Sequence, residues 1–237
     1  MDLKSILLYV LIAVIIYLVY YYFFVDKTSS NLLSLHNGKI KKSINANALS
    51  GSSATSDYGY SLWVYINDWD YQYGNKKSIL RRKSSNNLVG PHIYLGRNTN
   101  NLHVEISTAS TTGVSNSPTE TCILHNVPIQ KWCHIVLTTN NKTVDLYLDG
   151  KLVKTCVLNG VPRMSTIKNS PVEITPDNGF SGFLSNLKYY SRSLNPREVT
   201  ELYQEGYGGS FLSALFNRYK VKFAVLKDNN ELTSLQL

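Results

Sequence analysis

An all-β fold is what this sequence predicts: a two-sheet antiparallel jelly-roll sandwich with one short C-terminal helix, preceded by a single N-terminal transmembrane helix. Three observations carry the prediction. From Tyr58 onward, short alternating segments such as "GYSLWVYI", "HIYLG" and "LHVEIST" are separated by Gly, Asn, Ser and Pro, as in antiparallel sheets. A single well-capped helical stretch, "SLNPREVTELYQEG", comes late in the chain. One long uncharged apolar run opens it.

The opening run, Ile6–Val25, is 20 residues without a charge. At a rise of about 1.5 Å per residue it spans about 30 Å, the thickness of the hydrocarbon layer. It ends in Tyr, Phe, Val and Asp rather than the small residues of a cleavage site, which favours an uncleaved anchor over residues 1–27. Lys27, Lys39, Lys41 and Lys42 follow the run, against Lys4 and the α-amine before it. The positive-inside rule then places the large domain on the cytosolic side. The odd count of three cysteines, Cys122, Cys133 and Cys156, reads as reduced thiols and agrees. One sequon, Asn141-Lys142-Thr143, points the other way, but it falls where turn geometry calls for Asn in any case.

Residues 28–57, rich in Ser, Asn, Gly and Lys, read as a polar tether with a first strand near Gly38–Ile44. The sandwich occupies residues 58–206, and an amphipathic tail occupies 207–237. A net charge of +8 is spread over small clusters without a basic-aromatic array, so no nucleic-acid partner is expected. The juxtamembrane lysines suit an anionic lipid surface.

The stretch "KWCHIVLTTNNKTVDLYLDGKLV" sets a thiol beside an imidazole, yet its pattern is that of a meander. Val144, Leu146 and Leu148 share one face, and Asp149-Gly150 suits a two-residue type I′ turn. Neighbours on a strand point to opposite faces, so Cys133 and His134 have no common site. Trp132 is expected to be buried, and His134 to share its face. In the helix, Asn195 is the N-cap, Pro196 the first helical residue and Glu198 the capping-box partner. Leu194 and Val199 form the hydrophobic staple, and Gly206 ends the element.

Three phrases together resemble the concanavalin A-like, laminin-G-like superfamily. "YGYSLWVYINDWDYQYG" is similar to its opening strand, "PIQKWCHIVLTTNNKTVDLYLDGKLV" to its Trp-x-His strand and hairpin, and "GFSGFLSNLKYYSRSLNPREVTELYQEG" to its closing strand and helix. The wording also resembles membrane-anchored members encoded by large eukaryotic DNA viruses. The superfamily holds glucanases and binding proteins alike, so the resemblance implies the fold and leaves function to the sites. A retaining glucanase of this fold carries Glu-x-Asp-x-x-Glu on one strand, which places two carboxyls at glycosidase spacing. This chain has no such array. Glu105 and Glu173 stand alone, and His-Glu-x-x-His, Gly-x-Ser-x-Gly and phosphate-binding glycine loops are missing too.

The remaining candidates concern binding. Asn67, Asp68 and Asp70 offer hard oxygens at near-alternate positions, as Ca²⁺ requires, but a site needs about six to eight such ligands. Trp69, Tyr71 and Tyr73 in the same loop either stack on a sugar or partner, or roof the sandwich edge. In the tail, Phe211, Leu215 and Phe216 lie on one apolar helical face, ready to dock on a neighbour or fold back across a sheet edge. Together these readings predict a membrane-anchored, non-catalytic interaction module, linking an internal virion membrane to capsid proteins. The alternative is a glycan-binding lectin. Glycoside hydrolysis is a distant third, and neither catalytic residue nor obligatory cofactor is expected.

Overall fold

The computed structural model describes residues 3–24, 28–51, 56–84, 86–109, 118–163, 167, 169–208, 222–227 and 230–236. Helix α1 covers Leu3–Phe24. Its side chains are described for residues 7–19, which are apolar all round and exposed, with Leu7 65% and Ile16 63% accessible. The transmembrane span expected over Ile6–Val25 is not shown: among the described residues, which for the side chains of α1 are 7–19 alone, no helix is long and apolar enough to cross a membrane.

Two six-stranded antiparallel sheets follow. Sheet A comprises β1 (Ser29–Asn37), β12 (Gly182–Tyr190), β3 (Gly59–Ile66), β8 (Trp132–Asn140), β9 (Thr143–Leu148) and β10 (Lys151–Val157), in that order across the sheet. Sheet B comprises β2 (Lys42–Ile44), β11 (Val172–Ile174), β4 (Lys77–Lys83), β5 (Val89–Leu95), β6 (Leu102–Ser107) and β7 (Thr119–Leu124). The sandwich with one late helix therefore stands as the sequence predicts.

Residues 28–57, expected as a tether with a first strand near Gly38–Ile44, supply two strands of the sandwich, of which β2 falls in that range and β1 does not. β1 pairs with β12 at the edge of sheet A, and β2 pairs with β11 at the edge of sheet B. Edge strands need only one buried row, so "SSNLLSLHN" carries too few apolar residues to declare itself. Leu33 of β1 and Ile44 of β2 are the two strands' contribution to the core.

The core is the layer between the sheets. Along β3, Tyr60, Leu62, Val64 and Ile66 enter it at alternate positions, as do Leu102, Val104 and Ile106 along β6. In the β9–β10 turn, Asp149 and Gly150 have φ values of 49° and 78°, the left-handed geometry of a type I′ turn. At the start of β12, a Cβ on Gly182 would run into the Tyr65 carbonyl, which explains a glycine in the "GFSGFL" phrase.

Helix α2 (Pro196–Glu205) lies on the outer face of sheet A. Asn195 accepts from the Glu198 amide, and Glu198 reciprocates on the Asn195 N–H, completing the capping box. Val199 and Leu202 are buried with Val136, Tyr147, Tyr190 and Leu194 in a second apolar layer. Sheet A is thereby covered on both sides, and Ser61 and Trp63, which face away from the core, are buried nonetheless.

Two expectations are overturned. Cys122 and Cys156 form a disulfide between β7 and β10, so two of the three cysteines are not free thiols. They lie on strands with no sequence spacing to announce a pair; only the stacking of two sheet edges brings their Cα atoms to 5.9 Å. Trp132 is half-buried rather than buried. It sits outside the core, stacked on Tyr207 at 4.9 Å and 4° and beside Tyr65 at 5.6 Å. The buried indole of this face is Trp63, 6% exposed.

In the tail, β13 (Lys222–Lys227) and β14 (Asn230–Gln236) form an antiparallel hairpin. Phe211, Leu215 and Phe216, the apolar face expected there, lie outside the described residues.

Candidate functional site

The residues singled out in the sequence do not converge. Cys133 points toward the core side of β8, 1% exposed, its thiol directed at the Pro128 and Lys131 carbonyls. Burial, reinforced by the Asp149 charge, pushes its pKa up to about 11, the opposite of an activated thiol. His134 occupies the other face. Its Nε2 lies 2.9 Å from Ser61 Oγ, and its ring packs beside Trp63 and Tyr203. Burial pushes its pKa down to about 4, so the ring is neutral.

The Asn67–Tyr73 loop is braced by its own residues. Asp68 accepts from the Tyr71 amide, from Asn67, and from Ser181 Oγ at 2.5 Å. The Ser181 bond above all holds its carboxyl below the usual range. Those bonds tie Asp68 to the loop and to the start of the β12 phrase, and the described residues contain no group of three His, Cys, Asp or Glu placed to hold a metal. Trp69 packs against the core with Lys77 Nζ 4.5 Å over its ring, closing the end of the sandwich. Tyr71 lies under Lys39, and Tyr73 is 65% exposed.

The densest cluster of interacting polar groups lies on the outer face of sheet B. Ile93 and Leu95 of β5 and Val104 and Ile106 of β6 enter the core, so the alternation turns His92, Tyr94, His103 and Glu105 outward. Register then aligns them: His92 opposes Glu105, Tyr94 opposes His103, and Arg81 of β4 stands between His92 and Glu173 of β11. Glu105 accepts from Tyr94 Oη at 2.7 Å and Lys76 Nζ at 2.8 Å, and its other oxygen is 3.4 Å from His92 Nδ1. Ser78 Oγ lies 3.0 Å from His92 Nε2. Arg81 bridges Glu173 at 2.9 Å and Asp177 at 2.5 Å, and Lys41 reaches Glu173 at 2.6 Å.

Partial burial opposes ionisation of Glu105, but the Lys76 and Tyr94 bonds outweigh it and hold the carboxyl below its usual range. Glu173 is held low in the same way by Lys41 and Arg81. Burial lowers His92 more than Glu105 raises it, leaving a neutral ring that can donate through Nδ1 and accept at Nε2. A glycosidase acid must stay protonated near neutrality, and neither glutamate is tuned that way. The Ser78–His92–Glu105 chain has the order of a hydrolytic relay. Its serine, however, is 1% exposed, and its carboxylate is shared with Lys76 and Tyr94. His92 and Tyr94 are buried as well, at 7% and 5%, so what the face can offer a polar ligand is its partly exposed groups, Lys76, Arg81, His103, Glu105 and Glu173, fixed from behind by those rings. The sequence carries a signal for it, the outward pairs His92/Tyr94 and His103/Glu105 at i, i+2, but nothing local links the two strands to Arg81 or Glu173.

A second concavity, about 500 Å³, lies between α2 and the β1–β12 edge of sheet A. Its walls include the paired residues Lys188–Glu205 and Arg192–Glu198.

Two six-stranded antiparallel sheets packed face to face, one of them backed by a short helix, make a β-sandwich whose architecture leaves function to its sites. The chain belongs to the Laminin_G_3 family of the Concanavalin A-like lectin/glucanases superfamily, whose model matches residues 37–200. No curated protein matches it in sequence. Among solved structures it is similar to the botulinum neurotoxin serotype D binding domain, with a TM-score of 0.56 at 16% identity, covering 73% of this chain and 42% of that one. The serotype D ligand-binding domain in complex with N-acetylneuraminic acid aligns at 0.56 and 18%, covering 75% and 44%. The serotype G binding domain aligns at 0.51 and 16%, covering 72% and 46%. This chain thus spans less than half of each of those structures.

Proposed function

We propose that this chain is a membrane-anchored, non-catalytic recognition module that binds a hydroxyl-rich ligand, a glycan, on the outer face of sheet B. The observation that carries this reading is the register-aligned cluster in which the buried rings of His92 and Tyr94 stand among the partly exposed Arg81, His103 and Glu105 on rigid strands. Its groups are held in place by one another, which lowers the entropy lost on binding. The bound N-acetylneuraminic acid of the serotype D relative supports the ligand class. Ile6–Val25 supplies the anchor, being uncharged and as long as the hydrocarbon layer is thick.

A second reading, in which the domain faces capsid proteins across an internal virion membrane, is favoured by Lys27, Lys39, Lys41 and Lys42 after the apolar run. A glycan array probed with the chain from Thr28 onward separates the two. Glu105→Gln and Arg81→Ala should each weaken retention about tenfold, the worth of a lost charge-assisted hydrogen bond. Failure of every glycan to bind, or binding indifferent to both substitutions, would sink the first reading. Protease protection on sealed membranes tests the second.

A further inference from the structure

We infer that Asn141 is an N-glycosylation site and that the sandwich matures on the lumenal side of a secretory membrane, an inference resting on the anchor proposed above. Two independent observations meet in it. The first is the Asn141-Lys142-Thr143 triplet, the one Asn-X-Ser/Thr sequence in the chain with no proline at X. It forms the tip of the β8–β9 hairpin. Asn141 is exposed at φ 54°, and its backbone N–H is anchored on Asp57 Oδ1 at 2.7 Å. Among the described residues, none holds its carboxamide, so the amide nitrogen is free to react. In the transfer, that nitrogen attacks the anomeric carbon of a lipid-pyrophosphate-linked oligosaccharide. The C–N bond forms, the carbon–oxygen bond to pyrophosphate breaks, the lipid pyrophosphate departs and the amide releases one proton.

The second observation is the Cys122–Cys156 disulfide. It ties the β7 edge of sheet B to the β10 edge of sheet A, and such bonds accumulate where thiols are oxidised, the compartment in which the transfer takes place. The lysines that argued for the cytosol lose much of their weight in the fold. Lys41 is paired with Glu173, Lys42 begins β2, and Lys39 lies over Tyr71, so all three belong to the folded domain. Long folded segments translocate largely regardless of charge.

The test uses the full chain expressed in cultured eukaryotic cells. Peptide-N-glycosidase should sharpen the band by the mass of one glycan. Thr143→Ala should abolish that shift and Thr143→Ser should keep it, so a folding defect at Asn141 itself cannot mislead. Cys122 and Cys156 should resist maleimide until reduced. A chain that resists carbonate extraction but carries no glycan overturns the inference and leaves the anchor standing, whether or not the disulfide has formed. Release by carbonate strikes the anchor reading instead, and an unglycosylated released chain removes both.

Discussion

The two outer faces of the sandwich are built on the same strand chemistry and end in different surroundings. Each presents outward side chains at alternate positions: Ser61, Trp63 and His134 on sheet A, and Ser78, His92, Tyr94 and Glu105 on sheet B. On sheet A, α2 and a ring cluster cover them. Trp63 stacks on Tyr203 at 5.5 Å, and His134 keeps one buried ring nitrogen, Nδ1, without a partner. On sheet B, Ser78, His92 and Tyr94 are buried too, but among polar neighbours, and the same kind of histidine is held between a hydroxyl and a carboxylate. The difference teaches that one face was spent on stability, where a neutral imidazole tolerates burial. The other keeps ionised groups paired and partly wet, as a binding surface requires.

That contrast can be broken at several points. Trp63→Ala should be the most damaging, costing about 3–5 kcal/mol of stability in chemical denaturation, as truncation of a buried indole does. Glu105→Gln on the other face should cost at most about 1 kcal/mol, since a partly exposed ion pair is worth little. Equal losses would erase the distinction between the faces. The disulfide joins them at one edge, and Cys122→Ser with Cys156→Ser, or reduction of the native protein, should lower stability by about 2–4 kcal/mol. Denaturation with and without reductant checks this.

Acid should act first on the depressed histidines of both faces, His134 on sheet A and His92 and His103 on sheet B, and then on the sheet B carboxylates. In the folded chain His134 titrates at about 4, because burial disfavours its charge, against about 6.5 when unfolded. The unfolded state therefore binds the extra proton between those values, and stability falls as pH drops from about 6.5 to 4. Glu105 and Glu173, held low in the fold, stabilise it above their unfolded pKa near 4.3, and that contribution disappears as pH falls through their folded values. His134→Gln should flatten the upper part of the stability–pH curve by up to one proton and leave the lower part unchanged. A similarly small effect is expected at the cover itself: Asn195→Ala removes the helix cap and should cost about 1 kcal/mol, read in thermal or urea melts.

Much of this was legible locally. The β9 alternation, the Asp149-Gly150 turn and the Asn195–Glu198 cap each depend on a few consecutive residues whose φ, ψ and side-chain reach decide the outcome. The edge strand β1 was not, because its pairing partner β12 lies about 150 residues away, as the Ser185–Ser34 bond across 151 residues shows. Nor was the exposure of Trp132, since a Trp-x-His strand reads the same whether its row faces the core or a covering layer of tyrosines.

By itself, then, the sequence determined the class of fold, the run of strands, the one helix and the turn types, because hydrophobic period and backbone preference act over a few residues. Tertiary structure decided which edges meet, that Cys122 finds Cys156, and that Arg81 reaches Glu173 across 92 positions to complete the polar face. Those pairings arise from the stacking order of strands, a long-range consequence of burying both sheets at once, and no local pattern in the chain encodes them.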